Sequence, residues 1–174
     1  TLSHTMSALE LPVVAAYALL LLLLSVYGSH RYAMAYLYHR HKYRLPTPSA
    51  RFEQLPHVTI QLPIFNEMYV TERLIGAVAR IDYPRDRLEI QVLDDSTDET
   101  QGIARACVDR LRSDGLDISY VHRTNRQGFK AGALENGLAQ AKGDYLLVFD
   151  ADFVPTPSIV QDLVHHFTDD QVGM

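Results

Sequence analysis

Cysteine is almost missing: Cys107 stands alone in 174 residues, which excludes an intrachain disulfide framework and any cysteine-based zinc site. Its neighbours Ile103 and Leu111 fall four residues to either side, so all three are expected on one buried helix face. Glycine is missing where two common nucleotide folds need it. No G-x-G-x-x-G follows the first apolar strand and no Walker-type loop occurs, which discounts a NAD enzyme and a P-loop ATPase. Basic residues are outnumbered by acidic ones, 16 to 21, and unevenly so. Residues 1–50 carry Arg31, Arg40, Lys42 and Arg44 against Glu10, a sum of +3, while the remainder, with 12 basic and 20 acidic residues, sums to −8. Such a remainder offers no basic face for phosphate neutralisation, so nucleic acid is not an expected partner.

Formal charge is absent from Leu11 to Ser29. These 19 residues would extend about 28 Å as a helix, close to one hydrocarbon thickness. The six leucines Leu19 to Leu24 contribute roughly −3 kcal/mol on the insertion scale, and Pro12 falls in the first turn, where a missing N–H costs little. No Lys or Arg precedes the run and four follow it, which sets the basic flank in the cytoplasm and the N-terminus outside. Tyr27, Tyr32, Tyr36 and Tyr38 are placed near the cytoplasmic interface. A cleaved signal peptide would need a basic n-region and a small-x-small site, and neither is present; a run apolar on every side favours a membrane span over a buried soluble helix in a chain of this size. Met6 is the expected initiator. The expected layout is an anchor and juxtamembrane segment over 1–43, a linker with Pro46, Pro48 and Pro56 over 44–56, and a globular domain over 57–174, with His39 and His41 solvated or facing headgroups.

Past the linker, short β-rich runs alternate with longer helical ones, which predicts an α/β fold on a mostly parallel, Rossmann-like sheet. Strands are expected at 57–62, 88–93, 117–122 and 144–149, with a fifth starting near Val172. Helices are expected at 68–81, 97–112, 129–142 and 157–168, with Thr156-Pro157 opening the last and Gly115 and Gly143 marking breaks. Ligands in such sheets collect beyond the carboxyl ends of the strands. Those positions hold Pro63 to Glu67, Asp94-Asp95-Ser96, Arg123 to Lys130 and Asp150-Ala151-Asp152.

Asp150 and Asp152 project to the same side if the backbone stays extended, two hard oxygen ligands for one divalent ion able to bridge a diphosphate. Alone this D-x-D says little, since about one such pair is expected by chance among 14 Asp. Asp94 and Asp95 close a second strand on the same edge, where helix capping with Ser96 and Thr97 is the alternative. Arg123, Arg126 and Lys130 form the dense basic cluster of the acidic domain, and Gly128 lets backbone N–H groups approach an anion. A solvated loop would look the same by charge; adjacency to a helix N-terminus and a carboxylate pair favours an anion site. His165 and His166 point about 100° apart on a helix, so a shared metal is not expected.

Four blocks in fixed order, QLPIFNE at 61–67, VLDDSTDET at 92–100, RTNRQGFKAGAL at 123–134 and FDADFVP at 149–155, resemble the membrane-bound family 2 glycosyltransferases of GT-A fold, in particular the cellulose-synthase-like and glucomannan-synthase-like branch. The resemblance implies that residues 57–174 bind a nucleotide-sugar donor, a UDP- or GDP-sugar. It puts Pro63, Asn66, Glu67, Asp94 and Asp95 at the nucleoside, Lys130 near the diphosphate, and Asp150 and Asp152 at the phosphates and a Mg²⁺ or Mn²⁺ ion. The implied reaction is inverting transfer to a glycan or lipid acceptor at the membrane. In that family the carboxylate that activates the acceptor and the Q-x-x-R-W block come after the D-x-D, so the general base is expected beyond Met174 and these residues alone are expected to be inactive. Two other readings stand beside it. YLLVFDADFV also fits the haloacid-dehalogenase phosphatase pattern, although that fold opens with its D-x-D strand. A membrane-anchored nucleotide-binding module without catalysis would use the same donor residues.

Overall fold

Val58, Ile60, Leu62 and Ile64 alternate with Thr59, Gln61 and Pro63, so a strand made of them has one apolar and one more polar face. In the computed structural model, which describes residues 10–43 and 47–172, that strand is β1 (Val58–Ile64), and it lies inside a four-stranded sheet with β2 (Leu88–Asp94), β3 (Ile118–His122) and β4 (Tyr145–Val148). The order is β3-β2-β1-β4 and every pairing is parallel. The chain separates into two compact units, residues 1–47 and 48–174.

Parallel strands need crossovers, and helices supply them. α2 (Met68–Val78) leads from β1 to β2 and α3 (Thr100–Ser113) from β2 to β3. The chain then returns through α4 (Phe129–Leu138) to the opposite side of β1. Leu74, Ile75 and Val78 of α2, Ala104, Cys107 and Val108 of α3, and Val160 and Val164 of α5 (Ile159–Val164) join the apolar side of β1 and β2 in one core. Cys107 is thus a packing residue, and burial pushes its thiol up.

α4 covers the other, polar side. There Gln61 donates to Gln91 at 3.0 Å across a register pair, and Gly137 passes directly over them. A Cβ at 137 would sit 2.7 Å from Gln61 Nε2 and 2.8 Å from Leu93 Cδ1, so only glycine lets the helix come this close. Reversing the winding direction between β3 and β4 creates a switch point between the carboxyl ends of β1 and β4, where doubly wound sheets form their ligand crevice.

Several boundaries differ from expectation. α3 starts at Thr100 rather than 97 because Asp98 first takes the Thr100 N–H at 3.0 Å. α4 stops at Leu138, and the expected last helix becomes α5 plus a tight turn of 3₁₀ type over His165–Thr168. Residues 48–56 of the expected linker belong to the globular unit. Phe52 packs against Tyr145 and donates its N–H to His165 Nδ1 at 3.2 Å, Tyr83 donates to Pro56 O at 2.7 Å, and Arg87 holds Leu55 O. Prolines there remove donors but leave the carbonyls free to be bound. Val172 is in no strand, and the rest of the expected fifth strand lies outside the described residues.

The first unit contains α1 (Glu10–His41), long and apolar enough to cross a bilayer. Its 32 residues extend about 48 Å, well past the charge-free run. Nothing between Ser29 and His41 breaks a helix, since Arg, Ala, Met and Leu are good formers. Arg31, Arg40 and the four tyrosines therefore share one continuous helix with the leucines.

Candidate functional site at the switch point

The β1–α2 loop begins where Ile64 pairs with Asp94 at the end of the β1–β2 ladder. Asn66 takes a left-handed conformation, φ 52°, which asparagine tolerates because its side chain can bond locally. Here it bonds across to the next loop: Asn66 N–H donates to Ser96 Oγ at 2.9 Å, and Thr97 N–H to Asn66 Oδ1 at 2.8 Å. Asn66 is thus a clamp between the two strand ends. Glu67 follows at the N-terminus of α2. Its backbone carbonyl accepts from the Thr71 hydroxyl at 2.8 Å, while its carboxyl faces a cavity.

That cavity, about 410 Å³, is lined by Pro63, Ile64, Phe65, Glu67, Asp95, Arg126, Lys130, Ala133, Asp150, Ala151 and Asp152. It falls in the size range of small-ligand sites and sits at the switch point. Six of the eight expected site residues, Pro63, Glu67, Asp95, Lys130, Asp150 and Asp152, converge on it. Asp94 and Asn66 do not line it. The Asp94 carboxylate is fully buried, accepting from the Tyr120 hydroxyl at 2.6 Å and the Ser96 N–H at 2.8 Å. It is a linchpin under the floor of the site, and burial plus this carboxylate push the Tyr120 phenol upward.

Asp95 and Arg123 form a two-pronged ion pair, Nε–Oδ1 2.8 Å and Nη2–Oδ2 2.5 Å. Arg123 also donates to Gln127 O at 3.3 Å and Phe129 O at 3.1 Å, so one guanidinium ties β2 to the loop that opens α4. The loop is tight: Gly128 and Phe129 both have positive φ, 73° and 50°, and a Cβ on Gly132 would lie 2.1 Å from Gln127 O. This packing is what places Arg126 and Lys130 at the cavity. Lys130 pairs with Asp150. Arg126 lies with Cζ 3.2 Å above the Phe65 ring and 5.1 Å from the Phe129 ring.

The D-x-D reaches the cavity differently from the expectation of extended backbone. β4 ends at Val148, and Asp150 to Phe153 form a turn closed by Phe153 N–H to Asp150 O at 3.0 Å. The turn, not strand alternation, brings both carboxylates to one opening. The Glu67 carboxyl is raised above the ordinary range, by burial first and then by Asp152 and Asp150, with Lys130 opposing. Carboxylates that repel one another and face a cavity are the donor set a hard divalent cation would relieve. Among the described residues no group of three His, Cys, Asp or Glu is already gathered around one point, so an ion here would draw on Asp150, Asp152 and oxygens of its ligand.

The glycosyl transferase family 2 model matches residues 59–174, and the match covers all four strands and the cavity. The chain belongs to glycosyl transferase family 2. Within the family it is similar to the Arabidopsis thaliana protein described as probable glucomannan 4-beta-mannosyltransferase 15, 42% identical over 114 residues. Glucomannan 4-beta-mannosyltransferase 2 of the same plant is 46% identical over 111 residues, and glucomannan 4-beta-mannosyltransferase 1 of Oryza sativa subsp. japonica 42% over 118. These alignments cover 61–66% of this chain, which spans 21–23% of each relative's length. A solved likeness is the Pyrobaculum calidifontis mannosyltransferase PcManGT in complex with GDP-Man and Mn²⁺, with TM-score 0.65, 30% identity, and 86% of this chain covered against 44% of that one. Staphylococcus aureus TarS 1–349 in complex with UDP gives TM-score 0.54 at 25% identity, covering 61% of this chain and 30% of that one. The expected α/β fold and family resemblance hold, and the phosphatase reading falls: its D-x-D strand would come first, whereas here it comes fourth and at the sheet edge.

Phe65, inside a quoted block but with no role expected for it, lines the cavity beside Arg126, one of the three basic loop residues expected at an anion. Their cation–π contact joins residues 61 positions apart, which no local pattern encodes. A second cavity of about 440 Å³ includes Leu88, Ile90, Leu116 and Asp117 at the amino ends of β2 and β3, the end where parallel sheets do not build ligand sites.

Proposed function

We propose that residues 48–174 bind the donor of a membrane mannosyltransferase, a nucleoside-diphosphate sugar with GDP-mannose first in rank, and that the whole protein transfers the sugar to a growing β-glycan or a lipid-linked acceptor. The observation that carries this is the convergence of Glu67, Asp95, Lys130, Asp150 and Asp152 on one cavity at the switch point. Similarity to glucomannan mannosyltransferases and to a structure holding GDP-Man and Mn²⁺ supports the choice of donor.

In this reading Pro63 to Glu67 and Asp95 form the nucleoside wall, with Asn66 and Asp94 setting its shape from behind. Lys130 leaves Asp150 to meet the diphosphate. Asp150 and Asp152 would hold Mg²⁺ or Mn²⁺, which when bound would supply positive charge against a diphosphate. The base that takes the acceptor proton is assigned to residues beyond Met174. α1 is placed in the membrane with Arg31, Arg40 and Lys42 on the cytoplasmic side, together with the sugar-binding unit.

Calorimetry on the full 174-residue chain in detergent tests the reading. GDP-mannose should bind more tightly with Mn²⁺ than without, and the Asp150→Ala/Asp152→Ala double variant should lose that difference. Equal binding with and without metal in the wild type would refute it. Protease added to sealed vesicles with the cytoplasmic face outward should digest residues beyond 50; protection would overturn the orientation.

A further inference from the structure

Arg126 is held from three directions. Its guanidinium carbon is in van der Waals contact with the face of Phe65 and within cation–π range of Phe129. Its backbone lies in a loop whose carbonyls on the far side, Gln127 O and Phe129 O, are both bound by Arg123, and Arg123 is itself anchored on Asp95. Among the described residues Arg126 makes no side-chain hydrogen bond and no ion pair, although carboxylates line the same cavity. A guanidinium fixed over a ring keeps its N–H donors around the rim of its own plane, pre-organised and available.

The chemistry of the two ends of a nucleotide decides what those donors meet. A diphosphate is served by Lys130, Asp150 and Asp152 with their cation. Aromatic surfaces at Phe65 and Phe129 suit a flat heterocycle instead. Guanine offers two neighbouring acceptors, O6 and N7, spaced for an arginine fork, whereas a uracil edge alternates acceptor and donor and offers no such pair. A base coplanar with Arg126 would meet that fork edge-on. We propose that Arg126, held over Phe65, is a specificity-determining residue that reads the O6/N7 edge of guanine and makes the cavity prefer guanosine over uridine diphosphates. This rests on the donor-site reading above and adds the residue that selects the nucleotide.

The test measures GDP, UDP and inorganic pyrophosphate binding to the full chain in detergent with Mn²⁺, for wild type, Arg126→Ala and Arg126→Lys. Wild type should favour GDP. Both variants should weaken GDP roughly ten- to a hundred-fold, with UDP and pyrophosphate changed by less than about three-fold, because lysine keeps the charge but not the fork. Rescue by lysine, or an equal loss for all three probes, would assign Arg126 to the phosphates and overturn the proposal. So would unchanged GDP binding in both variants. Failure of the wild type to bind GDP, UDP or pyrophosphate would instead sink the donor-site reading together with this one.

Discussion

Both ends of the sheet gather acidic residues, and they treat them in opposite ways. At the amino end Glu89 is buried, yet its Oε2 accepts from the Thr59 hydroxyl at 2.7 Å and the Lys142 N–H at 2.8 Å, while Lys142 Nζ lies 3.9 Å from Oε1 and 2.8 Å from Asp117. Every charge there has a partner. At the carboxyl end Glu67 faces Asp150 and Asp152, and its carboxyl is pushed up by burial first and then by those two carboxylates. The same residue types thus brace the fold at one end and line an open cavity at the other. What separates them is how far hydrogen bonds and cations inside the chain compensate each group, not sequence composition.

The largest expected effect breaks the compensated end. Glu89→Ala strands the Thr59 hydroxyl and the Lys142 N–H and should cost about 2–4 kcal/mol, read as a lower denaturant midpoint for the chain in detergent. A loss below about 1 kcal/mol would mean that the network contributes little. Gly137→Ala comes next, at about 1–3 kcal/mol, since the new methyl must push aside the Gln61–Gln91 pair or lift α4. The double variant Asp150→Ala/Asp152→Ala should leave stability within about 0.5 kcal/mol of wild type, because Asp150 is largely exposed and its pair with Lys130 is of the weak surface kind. A large destabilisation would make the D-x-D a structural element.

The smallest effect concerns pH. A carboxyl raised in the folded state binds its proton more tightly there than when unfolded, so stability falls as pH rises from the unfolded value of 4.5 through the raised folded value. Glu67→Gln should remove that component, giving a slightly higher Tm than wild type at pH 7 and no gain at pH 4. An equal gain at both values would contradict the repulsion account. Added Mn²⁺ should shrink the wild-type deficit at pH 7 in the same measurement.

Legibility followed the range of the forces involved. Strand positions were open to sequence because alternation along β1 and the apolar runs of β2 and β4 are local patterns. The cavity was foreseeable to the extent that parallel strands put their following residues on one edge, which located Glu67, Asp95, Lys130, Asp150 and Asp152. Asp94 illustrates the limit: nothing in D-D-S says which carboxylate faces inward, and the answer depends on Tyr120 arriving from β3. α1 falls within the expected 1–43 segment but runs well past the charge-free stretch, because a helix stops where capping or breaking residues stop it and not where charge begins. Residues 48–56 are held by the carbonyls of Leu55 and Pro56 together with the Phe52 ring and N–H, and the carbonyl contacts are a signal that side-chain identity does not carry.

The pairing of β1 with β4 has a consequence for the order of folding. Val58 and Tyr145 are register partners 87 positions apart, while Val58 and Leu88 are 30 apart. During synthesis β1, β2 and β3 emerge and can close their shorter loops before β4 exists, so the crevice opens onto an unpaired strand edge until the last strand docks. Docking of β4 both seals that edge and delivers Asp150 and Asp152, which couples assembly of the site to the pairing of β4 with β1. Hydrogen exchange should register this as a sub-global opening in which β4 amides, paired to β1 alone, exchange before those of the β1–β2 ladder. Uniform protection across all four strands would show that the sheet opens as one unit.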